Sequence, residues 1–143
     1  MIIGEGVLMV EMVNSFGEYA GKVWKSLNSD EPQTGNGLIE KTGLTNDEFY
    51  SAVGWLAKEN KICKDGALYK LGETNLTSKI GKDAGLVWKI LDMWGEVDVV
   101  SISRLAHIEE PDVFSAVGWL ACEGKMGGMT ADKEKNKMAF WLK

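Results

Sequence analysis

A mainly helical α+β fold with small β-hairpins, built as two tandem similar units, is what this sequence predicts, and three observations carry the prediction. Residues 17–61 and 81–125 align without a gap at an offset of 64, with 16 identities in 45 positions. Within each copy apolar residues recur at helical spacing over three segments and then switch to the period of a strand pair. The 143 residues leave roughly 65–70 for each repeat. Domains that small fold alone only marginally, so each copy needs an efficient core or its twin. The six Trp supply large apolar area for that purpose. The boundaries read from the repeat are an N-terminal arm or strand over 1–14, a first domain over 15–76 and a second over 77–143.

The first copy opens with Ser15 as a helix cap, followed by Phe16, Ala20, Val23, Trp24 and Leu27 as one apolar stripe. Asn28 to Asn36 is polar, holds Pro32 and Gly35, and reads as a loop. A short helix over about 37–42 is stopped by Gly43. Thr45 and Glu48 have capping-box spacing, so a third helix starts there and runs to about Asn60. Phe49, Ala52, Val53 and Leu56 share its inner face. Two short runs flanking Asp65-Gly66 then give a two-residue hairpin.

The second copy repeats this order with changes. Ser78 is the expected cap for a helix holding Ile80, Ala84, Val87, Trp88 and Leu91 and ending near Trp94-Gly95. Val97 to Val100 reads as a short strand that the first copy lacks, and Ser101 as the cap of a short helix through Leu105. Pro111 suits the first turn of the third helix, where its missing N–H costs nothing. The turn between Leu105 and Val113 reads as shortened. The closing hairpin is longer, from Met126 through a polar tip to a last strand over 137–143. The seven residues from Leu71 to Thr77 are the whole connection, so the copies should lie close together.

Net charge is −5, with 7 Lys and Arg against 11 Asp and Glu over 1–77 and 9 against 10 over 78–143. Such acidity is a poor starting point for a nucleic-acid binder, although local clusters count for more than the total. Cys63 and Cys122 fall at non-equivalent repeat positions with no pairing pattern and no metal-ligand spacing, which predicts reduced thiols and a cytoplasmic protein. The apolar opening stretch lacks a basic region and carries Glu5 and Glu11, so it is a poor signal peptide and too charged to span a bilayer.

Helix, helix-turn-helix, then hairpin is the layout of a winged helix-turn-helix domain. The stretches Ala52-Val-Gly-Trp-Leu-Ala-Lys-Glu-Asn-Lys-Ile62 and Ala116-Val-Gly-Trp-Leu-Ala-Cys-Glu-Gly-Lys-Met126, with the Ala-Gly-x-Val-Trp starts at Ala20 and Ala84, resemble a small bacterial and archaeal family of such domains whose role is largely uncharacterised. The resemblance covers almost everything after Phe16. It implies a third helix that enters the DNA major groove and a hairpin wing that touches the backbone. The residues fit that expectation poorly. Opposite the inner stripe, the third helices present Tyr50, Ser51, Gly54 and Lys58, then Phe114, Ser115, Gly118 and Cys122. One Lys stands among these eight, with no Arg, Asn or Gln to read base edges. Their first turns carry Asp47 and Glu48, then Glu109, Glu110 and Asp112, which suit the helix dipole but would meet phosphates head-on.

The candidate phosphate contacts are Lys133, Lys135 and Lys137, which alternate along the second wing, and Lys58, Lys61 and Lys64 in the first copy. Gly54 and Gly118 are the other notable positions, because glycine inside a helix costs roughly 0.5–1 kcal/mol relative to Ala. With Tyr50 and Phe114 beside them they mark either close packing inside one unit or an interface, in which the third helices face each other, the N-terminal segment or a partner.

No catalytic constellation, cofactor motif or metal site is read. His107 has no twin in the first copy, and the Gly127-Gly128 pair is not followed by a helix, so it is not a phosphate loop. No small-molecule substrate and no membrane partner are expected. Two functions remain. One is a DNA-binding, transcription-regulator-like protein on double-stranded DNA. The other is an interaction or dimerisation module, acting on itself or another protein, that keeps the fold and has lost its reading residues. Fold association favours the first, and residue chemistry the second.

Overall fold

The computed structural model describes the backbone over residues 2–132 and 137–143, and side chains over 14–131 and 138–143. The first copy comprises α1 (Ile2–Ser29), β1 (Gln33–Thr34), α2 (Gly35–Thr42), α3 (Asn46–Lys58), β2 (Ile62–Asp65) and β3 (Leu68–Leu71). The second comprises a π-helical turn (Thr77–Gly81), α4 (Lys82–Trp94), β4 (Val97–Asp98), α5 (Val99–Ala106), α6 (Glu110–Cys122), β5 (Met126–Asp132) and β6 (Lys137–Leu142). The fold is thus α+β, with two antiparallel three-stranded sheets ordered β1-β3-β2 and β4-β6-β5.

Several elements depart from the expectation. Residues 2–14 are not a strand but the first half of α1, so Ser15 lies inside a helix rather than capping one. No proline stands between Ile2 and Ser15, and a capping side chain has no role where the chain has no reason to leave the helix. Ser78 lies within the π-helical turn, which has no side-chain cap. The first copy does have the extra strand, β1, pairing with Leu68–Tyr69 as β4 pairs with Ala139–Phe140. Strand β4 is only two residues long, because Asp98 rather than Ser101 caps α5, accepting from the Ser101 N–H. Thr34, 64 residues earlier, caps α2 in the same way. The first hairpin pairs Asp65 with Leu68, so its turn is Gly66-Ala67, one residue later than predicted.

The α5–α6 turn is not shortened. Helix α2 ends at Thr42 and α3 begins at Asn46, and α5 ends at Ala106 and α6 begins at Glu110, the same spacing. His107 takes the left-handed conformation (φ 57°) that Gly43 takes in the first copy (φ 75°). The capping box at α3 is fully formed, with Thr45 Oγ1 accepting from the Glu48 N–H and Glu48 accepting from the Thr45 N–H. At α6, Glu109 caps nothing with its side chain, and Pro111 occupies the first turn as expected.

Two apolar clusters form the core, one per copy, and they are interlocked. Phe16 of α1 is buried in the second copy's cluster, while Ile80, 64 residues on, is buried in the first copy's. Tyr19, Tyr50, Trp55 and Trp119 pack against both clusters. Each of those Trp rings also lies over a glycine of its own copy's first helical segment, Trp55 over Gly17 and Trp119 over Gly81. Trp24 and Trp88, expected in the apolar stripes, sit at their margins and are each 37% exposed. The connection is tied to the first wing, where Asn75 bonds both the N–H and the C=O of Lys64, and Asn60 Oδ1 accepts from the Thr74 N–H. No helix among the described residues is long and apolar enough to cross a membrane.

Candidate functional site

The segments that should read a ligand are the third helices, and both are consumed in one seam. Helices α3 and α6 pack directly on each other. Gly54 lies against the backbone carbonyl of Ser115, and Gly118 against that of Ser51, so closely that a Cβ at either glycine would overlap the facing oxygen. The missing side chains are what let two helical backbones touch. One hydrogen bond crosses the seam, from Ser115 Oγ to the Tyr50 carbonyl at 3.0 Å. Ser51 Oγ instead donates to Asp47 O of its own helix at 2.9 Å.

These helices are buried or half-buried throughout their middles. No residue from Phe49 to Ala57, and none from Asp112 to Cys122, is exposed. A helix that is apolar or small all round belongs in an interior, and Phe114-Ser-Ala-Val-Gly-Trp-Leu-Ala121 is such a helix. The face read as outward, Tyr50, Ser51, Gly54 and Phe114, Ser115, Gly118, is therefore a buried one. Phe114 does not stand beside its glycine as an open anchor. It sits in the second core, edge-on to Phe140 with ring centroids 6.0 Å apart. Tyr50 is half-buried at the junction of the two cores.

The N-terminal ends of α3 and α6 come to one side, and the electrostatics there are acidic. Partial burial, and then the nearby Glu110 and Glu48, push the Asp47 carboxyl above the ordinary carboxylate value. A group of carboxylates already repelling one another is a poor seat for a phosphate. At the opposite end, Cys122 lies near Glu59, Lys58, Glu123 and Lys61, and burial first and Glu59 second push its thiol up.

Each candidate lysine of the first copy lies against an aromatic ring or a carboxylate. Lys58 is exposed and sits over the Trp119 ring, 5.6 Å from its centroid. Lys61 pairs with Glu59 at 3.6 Å, as Lys125 pairs with Glu123 at 3.4 Å in the second copy. Lys64 lies over Tyr69 at 5.7 Å on the first wing. Lys133 and Lys135 lie outside the described residues. Lys137 begins β6 opposite Asp132, and its side chain also lies outside them.

Sequence reasoning missed a cleft of about 600 Å³ whose lining includes Lys79, Arg104, His107, Glu109 and Asp112. It holds the chain's single Arg and single His, and a solitary residue has no spacing to betray it. Its charges are largely matched. Lys79 Nζ bridges Asp83 at 2.8 Å and Asp112 at 3.4 Å, and the Asp83 hydrogen bond is the main cause that raises the Lys79 ammonium above its ordinary value. The first copy has a counterpart without a cation, in which the Tyr19 hydroxyl bonds Glu48 and Ser15. Burial of that phenol, followed by the Glu48 charge, raises its pKa. Among the described residues no group of three or more His, Cys, Asp or Glu is placed to hold a metal.

Comparison with known proteins agrees with this architecture. No curated protein and no solved structure matches the chain. A family model described as "Winged helix-turn-helix domain (DUF2582)" matches twice, over residues 9–71 and 75–140. One match falls on each copy and together they span most of the chain, so this protein belongs to that winged helix-turn-helix family, as a tandem duplication of its domain.

Proposed function

We propose that this chain is a non-catalytic protein-interaction module in which the winged helix-turn-helix scaffold no longer reads DNA. The observation that carries the reading is the seam: α3 and α6, the helices that would enter a major groove, have no exposed residue over their middles because each is the other's packing partner. Opening the seam to free them would expose two apolar helices and both junction tryptophans, which at about 25 cal/mol per Å² is beyond what a few phosphate contacts return. The acidic ends of the same helices work against phosphate in any case.

Titration of a labelled mixed-sequence duplex at low salt tests this. The expected result is no saturable binding at micromolar protein. Saturable binding whose affinity falls steeply with salt, and which the joint change of Lys58, Lys61 and Lys64 to Ala weakens, would return the chain to the DNA-binding, regulator-like reading.

A further inference from the structure

We propose that the outer edge of the second copy, where the end of α4 meets α5, is a self-association surface through which two chains meet about a two-fold axis. The proposal rests on the interaction reading above and names its site and its partner.

The first copy serves as an internal reference. There Lys41 Nζ on α2 pairs with Asp30 Oδ2, just past the end of α1, at 2.7 Å. The residues 64 positions further on are Leu105 and Trp94. One scaffold thus places an ion pair at this spot in one copy and two large apolar side chains in the other. The change extends along the same two elements, with Ser29 at the end of the first helix answered by Met93 and Asn36 on α2 by Val100. None of the four is drawn into the core: Met93 is 76% exposed, Trp94 64%, Leu105 50% and Val100 46%. Single exposed apolar residues are ordinary. Four polar-to-apolar exchanges at one edge of one copy are not explained by packing, because the same fold is satisfied with polar residues there.

Area and charge argue for a second copy as the occupant. At those exposures the four residues leave on the order of 500 Å² of accessible, mostly apolar surface, within the range of the largest patches on monomers. Interfaces are about 60% apolar, so covering the patch with its rim would bury about 800 Å² per chain, the size of a standard interface. A two-fold contact sets the same patch against itself. Near the axis of such a contact each residue faces its own symmetry copy, so a charge there would meet a like charge in a chain of net charge −5. The exchange of Asp30 and Lys41 for Trp94 and Leu105 removes both charges. The flanking positions carry both signs, Arg104 against Asp92 and Glu96, so such a rim can pair with its own symmetry mate.

Sedimentation velocity on the full chain at about 100 µM, where a micromolar contact is populated, tests this. The wild type is expected to sediment as a dimer. The double variant Trp94→Asp, Leu105→Lys transplants the first copy's ion pair and is expected to weaken dimerisation at least tenfold with an unchanged circular dichroism spectrum. The pair Met93→Ser, Val100→Asn carries the same expectation should the first variant fail to fold. A monomeric wild type at that concentration overturns the proposal, as does a dimer that both variants leave intact. Neither outcome touches the interaction reading, which stands or falls on the separate DNA titration.

Discussion

The two copies share a buried seam and differ at their rims. At the seam, where residues 51–57 and 115–121 are identical, the backbone contacts are reciprocal: Gly54 on Ser115, Gly118 on Ser51, Trp55 over Gly17 and Trp119 over Gly81, with Phe16 and Ile80 exchanged between the cores. Away from it, equivalent positions solve the same local problem with different chemistry. A left-handed turn is made by Gly43 in one copy and His107 in the other, and a helix start is closed by Thr45 and Glu48 in one and left to Glu109 in the other. The hydroxyl of Tyr19 answers the Lys79–Asp83 ion pair. The contrast teaches that the interior contact between the copies constrains residue type to the atom, because two backbones in contact admit no Cβ, whereas a rim position needs only some way of satisfying its polar groups.

The sharpest way to break the comparison is to put a side chain into the seam. Gly54→Leu and Gly118→Leu should each cost about 3 kcal/mol or more, since the obstruction is backbone and cannot rotate away. Urea denaturation measures the loss, and a cost below 1 kcal/mol for either would mean that the helices do not touch as described.

Next in size is an effect of pH. Burial first, and then the neighbouring Tyr50, push the Tyr69 phenol up from 10.0 to about 12, and the Lys79 ammonium is also raised. Both groups hold their proton more tightly when folded. Their contribution is therefore intact below about pH 10 and is lost as the pH climbs through the raised values, with Tyr69 alone worth on the order of 2 kcal/mol. Stability that stays flat from pH 9 to 12 in chemical denaturation would contradict the burial of Tyr69. Tyr69→Phe should lessen the alkaline loss.

Smaller is the difference between the two polar clusters. Lys79→Met leaves the buried Asp83 carboxylate without its cation and should cost about 1–3 kcal/mol. The matching change Tyr19→Phe removes a half-buried hydroxyl and should cost about 0.5–1.5 kcal/mol. A reversed order in thermal melts would show that the ion pair is not the stronger device. Smallest are the turn and cap exchanges. Gly43→His should destabilise and His107→Gly stabilise, each by about 1 kcal/mol, because the left-handed backbone strains any residue with a Cβ. Glu109→Thr should gain about 0.5–1 kcal/mol by giving α6 the cap that α3 already has. Equal melting temperatures for wild type and variants would place these ends outside the cooperative unit.

Much of the architecture was legible locally. The Thr45/Glu48 box, the stop at Gly43, the inner stripe of Phe49, Ala52, Val53 and Leu56, and the two hairpins all follow from short-range rules, and all are present. The errors cluster where a local signal competes with continuation or with a distant partner. Ser15 has the chemistry of a cap but stands in an unbroken helix. Trp24 has the periodicity of a core residue but lies where the stripe ends. Strand β1 is two residues long and exists only because β3 lies beside it. The exposed Trp94 and Leu105 were visible in the repeat alignment as departures from Asp30 and Lys41, although only the ion pair of the first copy gives those departures a place.

What the sequence determined by itself is the duplication, most of the helices and hairpins of each copy and the inner stripe of the third helices, since period and composition are properties of the chain alone. Which surface those helices bury against was decided only in three dimensions. Gly54 and Gly118 were compatible with packing inside one copy, with a partner or with each other, and the choice belongs to a contact between residues 61 to 67 positions apart. Contacts of that range depend on how two finished units fit together, and no local pattern encodes the fit.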